Sequence, residues 1–292
     1  MARLVFLGTP DAAVAPLRTL VDAGHDVALV VSRPDRRRGR GGGLVPSPVK
    51  KAATELGLDV TDSLDRVLDV GASLGVVVAY GRIIPVAVLD RLPMVNLHFS
   101  LLPRWRGAAP VERAILEGDG ETGVCLMAVE AGLDTGGIYA EADTEIGDEE
   151  SADELRSRLV AMGCGLLDLH LRDGLAGLPV PRDQMGIPSY AEKIQPGELE
   201  IRWDQPALQI RRLIRLGRAW TTFRRRRLGI LRADASSDVA PGDPGRLRGT
   251  DVVAGDGSSL RLVTVQPEGR RPMDAGDWLR GVRPGTDERL GA

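Results

Sequence analysis

The chain has 292 residues, 43% hydrophobic but only 3% aromatic, with 38 Lys+Arg against 41 Asp+Glu for a net charge of −3. That length holds one large domain or two ordinary ones around a core of Leu, Val, Ile and Ala, and no apolar run reaches the roughly 18 residues that a membrane span needs. Two distant cysteines, Cys125 and Cys164, exclude a disulfide framework, and neither has a second Cys or a His at zinc-ligand spacing, so both are expected to be reduced, buried thiols of a cytosolic protein.

The opening residues run straight into a glycine turn and read as a first strand, Arg3–Leu7, rather than as a signal peptide. Gly8-Thr9-Pro10-Asp11 follows without the G-x-G-x-x-G spacing of a dinucleotide loop, so no nicotinamide cofactor is expected. A helical pattern over Asp11–Ala23 closes on Gly24, as a C-cap glycine would, and leaves His25 in an exposed turn. Strands are predicted at Val27–Ser32, Gly75–Tyr80, Val95–Phe99 and Val124–Glu130, and helices at Ser47–Leu56, Pro85–Leu92 and Ala108–Leu116. This βαβα alternation implies right-handed crossovers and a mostly parallel sheet covered on both faces. Asp148–Leu171 reads as a long amphipathic helix with Asp148 or Ser151 as its cap. The prolines of Leu178–Gln184 mark a connection, continued by Tyr190–Ile194, and a helix is predicted at Gln205–Leu216. After Ala219 short runs at Arg224–Leu231, Gly245–Val253 and Ser259–Val265, separated by Gly, Pro, Asp and Ser, predict a small all-β unit, a barrel. The domains are therefore placed at 1–203 and 204–292.

Chemistry concentrates in Val95–Pro110. Asn96 and His98 lie two residues apart on a strand, so both side chains point to one face, at the end of a strand where α/β sheets bind ligands. Downstream, the turn-rich Glu130–Gly137 carries one acid, Asp134, that can reach the same pocket. An amide, an imidazole and a carboxylate, with no nucleophile of the enzyme's own, suit attack on a carbonyl by an incoming amine: the protein orients, donates to an oxyanion and moves protons. These residue types alone do not apportion the proton between His98 and Asp134.

Asn96-x-His98, the Ser100-Leu101-Leu102-Pro103 loop with Arg106-Gly107, and Gly132-x-Asp134-x-Gly136 together resemble the signature of enzymes that transfer formyl groups from 10-formyltetrahydrofolate. Phe6–Asp11, the loop Arg33–Gly41 followed by Pro46–Lys50, and the tail Leu262–Met273 closed by Trp278–Gly281 are similar to those members that act on methionyl-tRNA. The resemblance thus runs over nearly the whole chain. It implies a Rossmann-like, mostly parallel α/β domain followed by a small OB-like β-barrel that binds tRNA. It implies Asn96, His98 and Asp134 as the catalytic trio, and Ser100, Leu101, Leu102 and Pro103 as the loop that holds the folate, with Val77–Gly81 lining the same slot. The expected co-substrate is 10-formyltetrahydrofolate without a metal, and the expected partner is initiator methionyl-tRNA, bound by a cytoplasmic monomer with no membrane contact.

The charge is unevenly placed. Tyr190–Ala292 carries 19 Lys+Arg against 14 Asp+Glu, and the rest of the chain 19 against 27. An acidic body with a basic C-terminal part fits a polyanion that touches selected surfaces. Arg36, Arg37, Arg38 and Arg40 sit in a glycine-rich stretch expected to form no stable element of its own and to order on a phosphate backbone. In the resembling family this loop meets the tRNA acceptor end. Arg224–Arg227 is placed on a strand, with alternate arginines on opposite faces. A sugar or nucleotide N-formyltransferase, or a formyltetrahydrofolate hydrolase, would keep the same trio but has no use for the basic loop and tail. A non-enzymatic folate- or RNA-binding module has no use for the trio.

Overall fold

The computed structural model of the protein describes residues 1–37, 42–236 and 242–292; Arg38 and Arg40 lie outside them. The chain forms two units that are interleaved in sequence. The first comprises Met1–Val111, Glu121–Glu145 and Arg156–Glu192, and the second Glu112–Gly120, Ile146–Leu155 and Lys193–Ala292.

The first unit is a mixed α/β structure on a seven-stranded sheet. Its strands are β1 (Arg3–Gly8), β2 (Asp26–Val31), β3 (Val60–Thr61), β4 (Leu74–Val78), β5 (Met94–His98), β6 (Glu121–Ala128) and β7 (Ile138–Glu145), in the order β7-β6-β5-β4-β1-β2-β3. The five strands from β5 to β3 pair in parallel, whereas β6 runs antiparallel to both β5 and β7. Leu4–Leu7 and Leu74–Val78 are buried without interruption, as strands covered on both faces must be. Edge strand β7 instead alternates, with Glu141, Asp143 and Glu145 exposed. The chain leaves β1 toward β2 on one side and later takes up β4 and β5 on the other. The carboxyl ends of β1, β4 and β5 therefore flank the topological switch point, where such sheets open a crevice for ligands.

The first unit also holds α1 (Val14–Asp22), α2 (Pro48–Glu55), α3 (Val86–Leu89) and α5 (Ala152–His170) from Arg156 onward, whereas α4 (Pro110–Glu117) belongs from Glu112 to the second unit. Helix α2 starts where the sequence dictates: Ser47 accepts a hydrogen bond from Lys50 N, and Pro48 fills the first helical position. The predicted helix Pro85–Leu92 contracts to the single turn of α3. His25 is buried rather than exposed, because its turn packs against the chain start: Ala2 N donates to His25 Nδ1 at 3.2 Å. Burial, then the neighbouring amino terminus, pushes its pKa below the usual histidine value. Arg36–Arg37 is not free loop but pairs antiparallel with Leu44–Val45. The base of this excursion is closed by the ion pair Lys50–Asp35 (2.8 Å) and by the Ser32 and Ser47 hydroxyls (2.6 Å).

The second unit carries an antiparallel sheet of β8 (Trp220–Phe223), β9 (Arg226–Ser236), β10 (Leu247–Arg248), β11 (Asp251–Val253) and β12 (Ser259–Pro267), in the order β8-β9-β12-β11-β10, with β13 (Met273–Asp274) also on β12. Helices α6 (Ala207–Ile214) and α7 (Ala275–Val282) complete it. Their apolar faces share one core with Trp203, Phe223, Ile230, Val252, Leu260 and Val265. Trp278 of α7 meets Phe223 edge to face at 5.0 Å, and Trp203 Nε1 donates to Thr221 Oγ1 at 3.0 Å. Several arginines are engaged inside this unit. Arg211 pairs with Glu149, Arg113 with Glu198, and Arg215 donates to the carbonyls of Gly147 and Glu150.

The predicted strand Arg224–Leu231 begins two residues late. Arg224 and Arg225 are the two central residues of a tight hairpin turn, with φ of 50° and 61°, and Phe223 faces Arg226 across it. All four arginines from Arg224 to Arg227 are exposed, the first two on the turn and only Arg226 and Arg227 on the strand. Positive φ at both central residues is the pattern of the I′ hairpin turn, which matches strand twist but which Arg adopts at a cost of about 1–2 kcal/mol per residue. Arg224 is compensated by Glu288 and by the Phe223 ring, 4.9 Å from its guanidinium. Arg225→Gly should therefore raise the urea unfolding midpoint, by the equivalent of about 0.5 kcal/mol after the extra chain entropy of glycine is subtracted. Arg225→Val should lower it.

Candidate active site

Strand β5 delivers Asn96 and His98 to the same side at its carboxyl end, opposite Met127 and Cys125 of β6. The His98 ring is only 5% exposed, and its Nε2 lies 2.8 Å from the Trp105 carbonyl. A carbonyl only accepts, so Nε2 carries a hydrogen and Nδ1 is the nitrogen left for chemistry. Nδ1 faces Asp134 Oδ2 across 3.6 Å, too far for a direct hydrogen bond. The same Asp134 oxygen accepts the Gly107 N–H at 2.8 Å. Asn96 is half-buried, and no described residue hydrogen-bonds its side-chain amide. The structure thus brings the three predicted residues together while leaving the Asn96 amide, Nδ1 of His98 and the second oxygen of Asp134 unused by one another. Those are the groups a reacting carbonyl and amine would require, so a formyl donor fits the donor and acceptor set.

The Asp134 loop is sterically determined. Asp134 has φ of +50°, a conformation non-glycine residues rarely adopt. A Cβ on Gly136 would lie 2.1 Å from the Ala128 carbonyl oxygen, and one on Gly107, at φ +120°, 2.9 Å from that of Ala191. Only glycine fits either place, which gives both motifs a physical reason.

The Ser100–Pro103 loop is tied inward. Ser100 is fully buried and its Oγ donates to the Arg104 carbonyl at 2.6 Å, Arg104 N donates to Leu101 O, and Ser189 N to Pro103 O. Leu102 packs with Cys125, Met127 and Ile138, and the Leu102–Pro103 peptide is cis. With the carbonyls of Leu101, Pro103 and Arg104 engaged, the loop presents shape more than free acceptors. In Val77–Gly81, Tyr80 is buried among Val5, Leu7, Leu29 and Ile84, and that burial raises its phenol pKa. Arg36 and Arg37 are exposed on their short ladder. Among the described residues no group of three or more His, Cys, Asp or Glu is arranged to hold a metal ion, and no helix is long and apolar enough to cross a membrane.

One element beside these groups was not singled out in the sequence. The segment after α5, read there as a mere connection, crosses both site loops. Gln184 Oε1 accepts from Arg106 Nε (3.1 Å) and Nη2 (2.6 Å), and its Nε2 donates to the carbonyls of Asp134 and Gly136, each at 2.8 Å. Ser189 Oγ accepts from Trp105 N, its carbonyl from Arg106 N, and Tyr190–Ala191 pairs in parallel with Arg106–Gly107.

Comparison with known proteins adds a separate line. The formyl transferase family model matches residues 2–167, and the formyl transferase C-terminal domain model residues 193–283. A methionyl-tRNA formyltransferase of Thermobifida fusca (strain YX) is 41% identical, covering 99% of either chain. That of Jannaschia sp. (strain CCS1) is 44% identical, over 97% of this chain and 99% of its own. The chain belongs to the methionyl-tRNA formyltransferase family. A solved structure similar in fold, at 18% identity, is an N-formyltransferase from Helicobacter canadensis in complex with folinic acid and dTDP-3-aminofucose. Its TM-score is 0.70, covering 91% of this chain and all of the other.

Asn96, His98 and Asp134 all fall within the first region matched to the formyltransferase family, whereas Gln184 and Ser189 fall between the two matched regions. The signal that was available is that Gln184 alone among residues 181–188 is not exposed, a property of the fold and not of the sequence.

Behind His98, Cys125 is buried and its thiol is pushed up to about 12, chiefly by burial. At pH 8 the native protein should accordingly resist iodoacetamide at Cys125, and denaturation in urea should expose the thiol to full labelling. Peptide mass mapping checks both.

Proposed function

We propose that the protein transfers the formyl group of 10-formyltetrahydrofolate to the amino group of methionyl-initiator tRNA, giving N-formylmethionyl-tRNA. The observation that carries this reading is the group of three side chains at the carboxyl end of β5, each fixed by the backbone or left unengaged, in a chain related end to end to proteins of that name.

When bound, the folate supplies an activated formyl carbonyl. The Asn96 amide donates to the oxygen of that carbonyl as negative charge develops on it, a contribution typical of one such donor, about 3–4 kcal/mol. His98 works through Nδ1, because the Trp105 carbonyl holds Nε2. Asp134, its carboxylate fixed by the Gly107 N–H, faces Nδ1, and the two accept as a unit the proton that the methionyl amine gives up, returning it to the folate nitrogen as that nitrogen's bond to the formyl carbon breaks and tetrahydrofolate leaves. Ser100–Pro103 shapes the slot for the folate. Residues 204–292 serve as an OB-like barrel toward the tRNA, and Arg36, Arg37, Arg38 and Arg40 meet phosphates near its acceptor end. The protein acts as a cytoplasmic monomer without a metal.

His98→Ala, Asn96→Ala and Asp134→Ala should each lower turnover by at least about 100-fold with circular dichroism unchanged. Near-normal turnover in a folded His98→Ala variant overturns the assignment. Parallel assays with charged initiator tRNA, a nucleotide-linked amino sugar and water as acceptors separate tRNA formylation from the other formyl-transfer chemistries.

The arginine loop has its own test. Arginine–phosphate contacts release counterions, so binding through them weakens with salt. Replacing Arg36, Arg37, Arg38 and Arg40 by Ala should raise KM for aminoacyl-tRNA and flatten its salt dependence, with folate KM unchanged. Wild-type tRNA kinetics across a salt series would remove this loop from the RNA interface.

A further inference from the structure

We propose that Gln184 is a positioning residue for Asp134, and that Arg106 orients it. The inference rests on the reading of Asp134 as a catalytic group.

A primary amide has two donor hydrogens and two acceptor lone pairs, and Gln184 uses all four. The arrangement has only one sense. Arg106 can only donate, so Oε1 must face it and Nε2 must face the two carbonyls. Those carbonyls belong to Asp134 and Gly136, two residues apart on the loop that turns Asp134 into the site. Asp134 is thereby gripped twice from the same short stretch. Arg106 acts through Gln184 on its backbone carbonyl, and the adjacent Gly107 N–H acts directly on its carboxylate.

The grip falls where the backbone most needs it. Asp134 sits at a left-handed φ, which persists only when its surroundings over-determine it. The gap to be set is also narrow. Asp134 Oδ2 stands 3.6 Å from His98 Nδ1, so a relaxation of the loop by about 1 Å, which can cost on the order of 100-fold in rate, separates the pair or collapses it. Arg106 is itself aligned by its ladder with Tyr190 and by its N–H bond to the Ser189 carbonyl. A side chain that only packed the segment after α5 would not need its amide oriented by a guanidinium and spanned over two carbonyls.

The test uses the full-length enzyme with methionyl-tRNA and the folate donor. Gln184→Glu keeps the size and still pairs with Arg106, but it turns a carboxylate oxygen toward two carbonyls. We expect kcat to fall about 10- to 100-fold, KM for either substrate to change less than about 3-fold, and the urea midpoint to hold. Gln184→Met and Arg106→Met should show the same fall in kcat, and the double variant should be no worse than Gln184→Met alone, since both remove one linkage. A role in packing alone predicts a near-normal Gln184→Glu enzyme. Normal kcat in Gln184→Glu beside an inactive Asp134→Ala, or multiplying losses in the double variant, overturns the proposal and leaves the reading of Asp134 standing. Near-normal turnover in Asp134→Ala overturns that reading and this proposal with it.

Discussion

The hydrogen bond from His98 Nε2 to the Trp105 carbonyl sets the rest of the site. It joins the last residue of β5 to the loop that follows it, and so converts a strand end into a rigid corner. Because the carbonyl cannot donate, the bond also decides which imidazole nitrogen is available and which way it faces. The Trp105 backbone is held in turn by the Ser189 hydroxyl, and its neighbour Arg106 by the Ser189 carbonyl. Without Ser189 and its neighbours the imidazole would have the same neighbours in sequence but a less firmly held acceptor.

Much of this was legible from local rules. The period of two puts Asn96 and His98 on one face whatever the strand pairs with, and the continuous apolar runs announce a sheet covered on both sides. The mixed sheet of the first unit and the separate antiparallel sheet of the second follow those expectations. Asp134 was visible as the acid in a turn-rich loop, because turn residues signal themselves. Gln184 was not. Its partners lie 78, 50 and 48 positions away, and nothing in its own neighbourhood distinguishes it from any polar residue of a connection. His25 was misjudged for the same kind of reason, since what covers it is the far end of the preceding strand.

The Arg224–Arg227 run shows a different failure. Hairpin turns of two residues are read from Gly, Asn or Asp, and here two arginines occupy the left-handed positions, so the turn carries no compositional mark. A residue count also does not say where each arginine of the C-terminal part is held. Arg211 is paired with Glu149, an acid outside that part, and Arg215 is tied to the carbonyls of Gly147 and Glu150.

The interleaving of the units bears on how the chain can be divided. Glu149 and Gly147, which receive Arg211 and Arg215, come from a stretch that precedes α5, and Glu117, whose carbonyl accepts from Arg212, comes from the end of α4. A polypeptide started at residue 204 would carry every strand of the antiparallel sheet and still lack these three partners. The last third of the chain is thus a complete list of strands but an incomplete body. Severing it at its apparent border, or grafting it elsewhere, would strip three cations on or beside α6 of the groups that hold them.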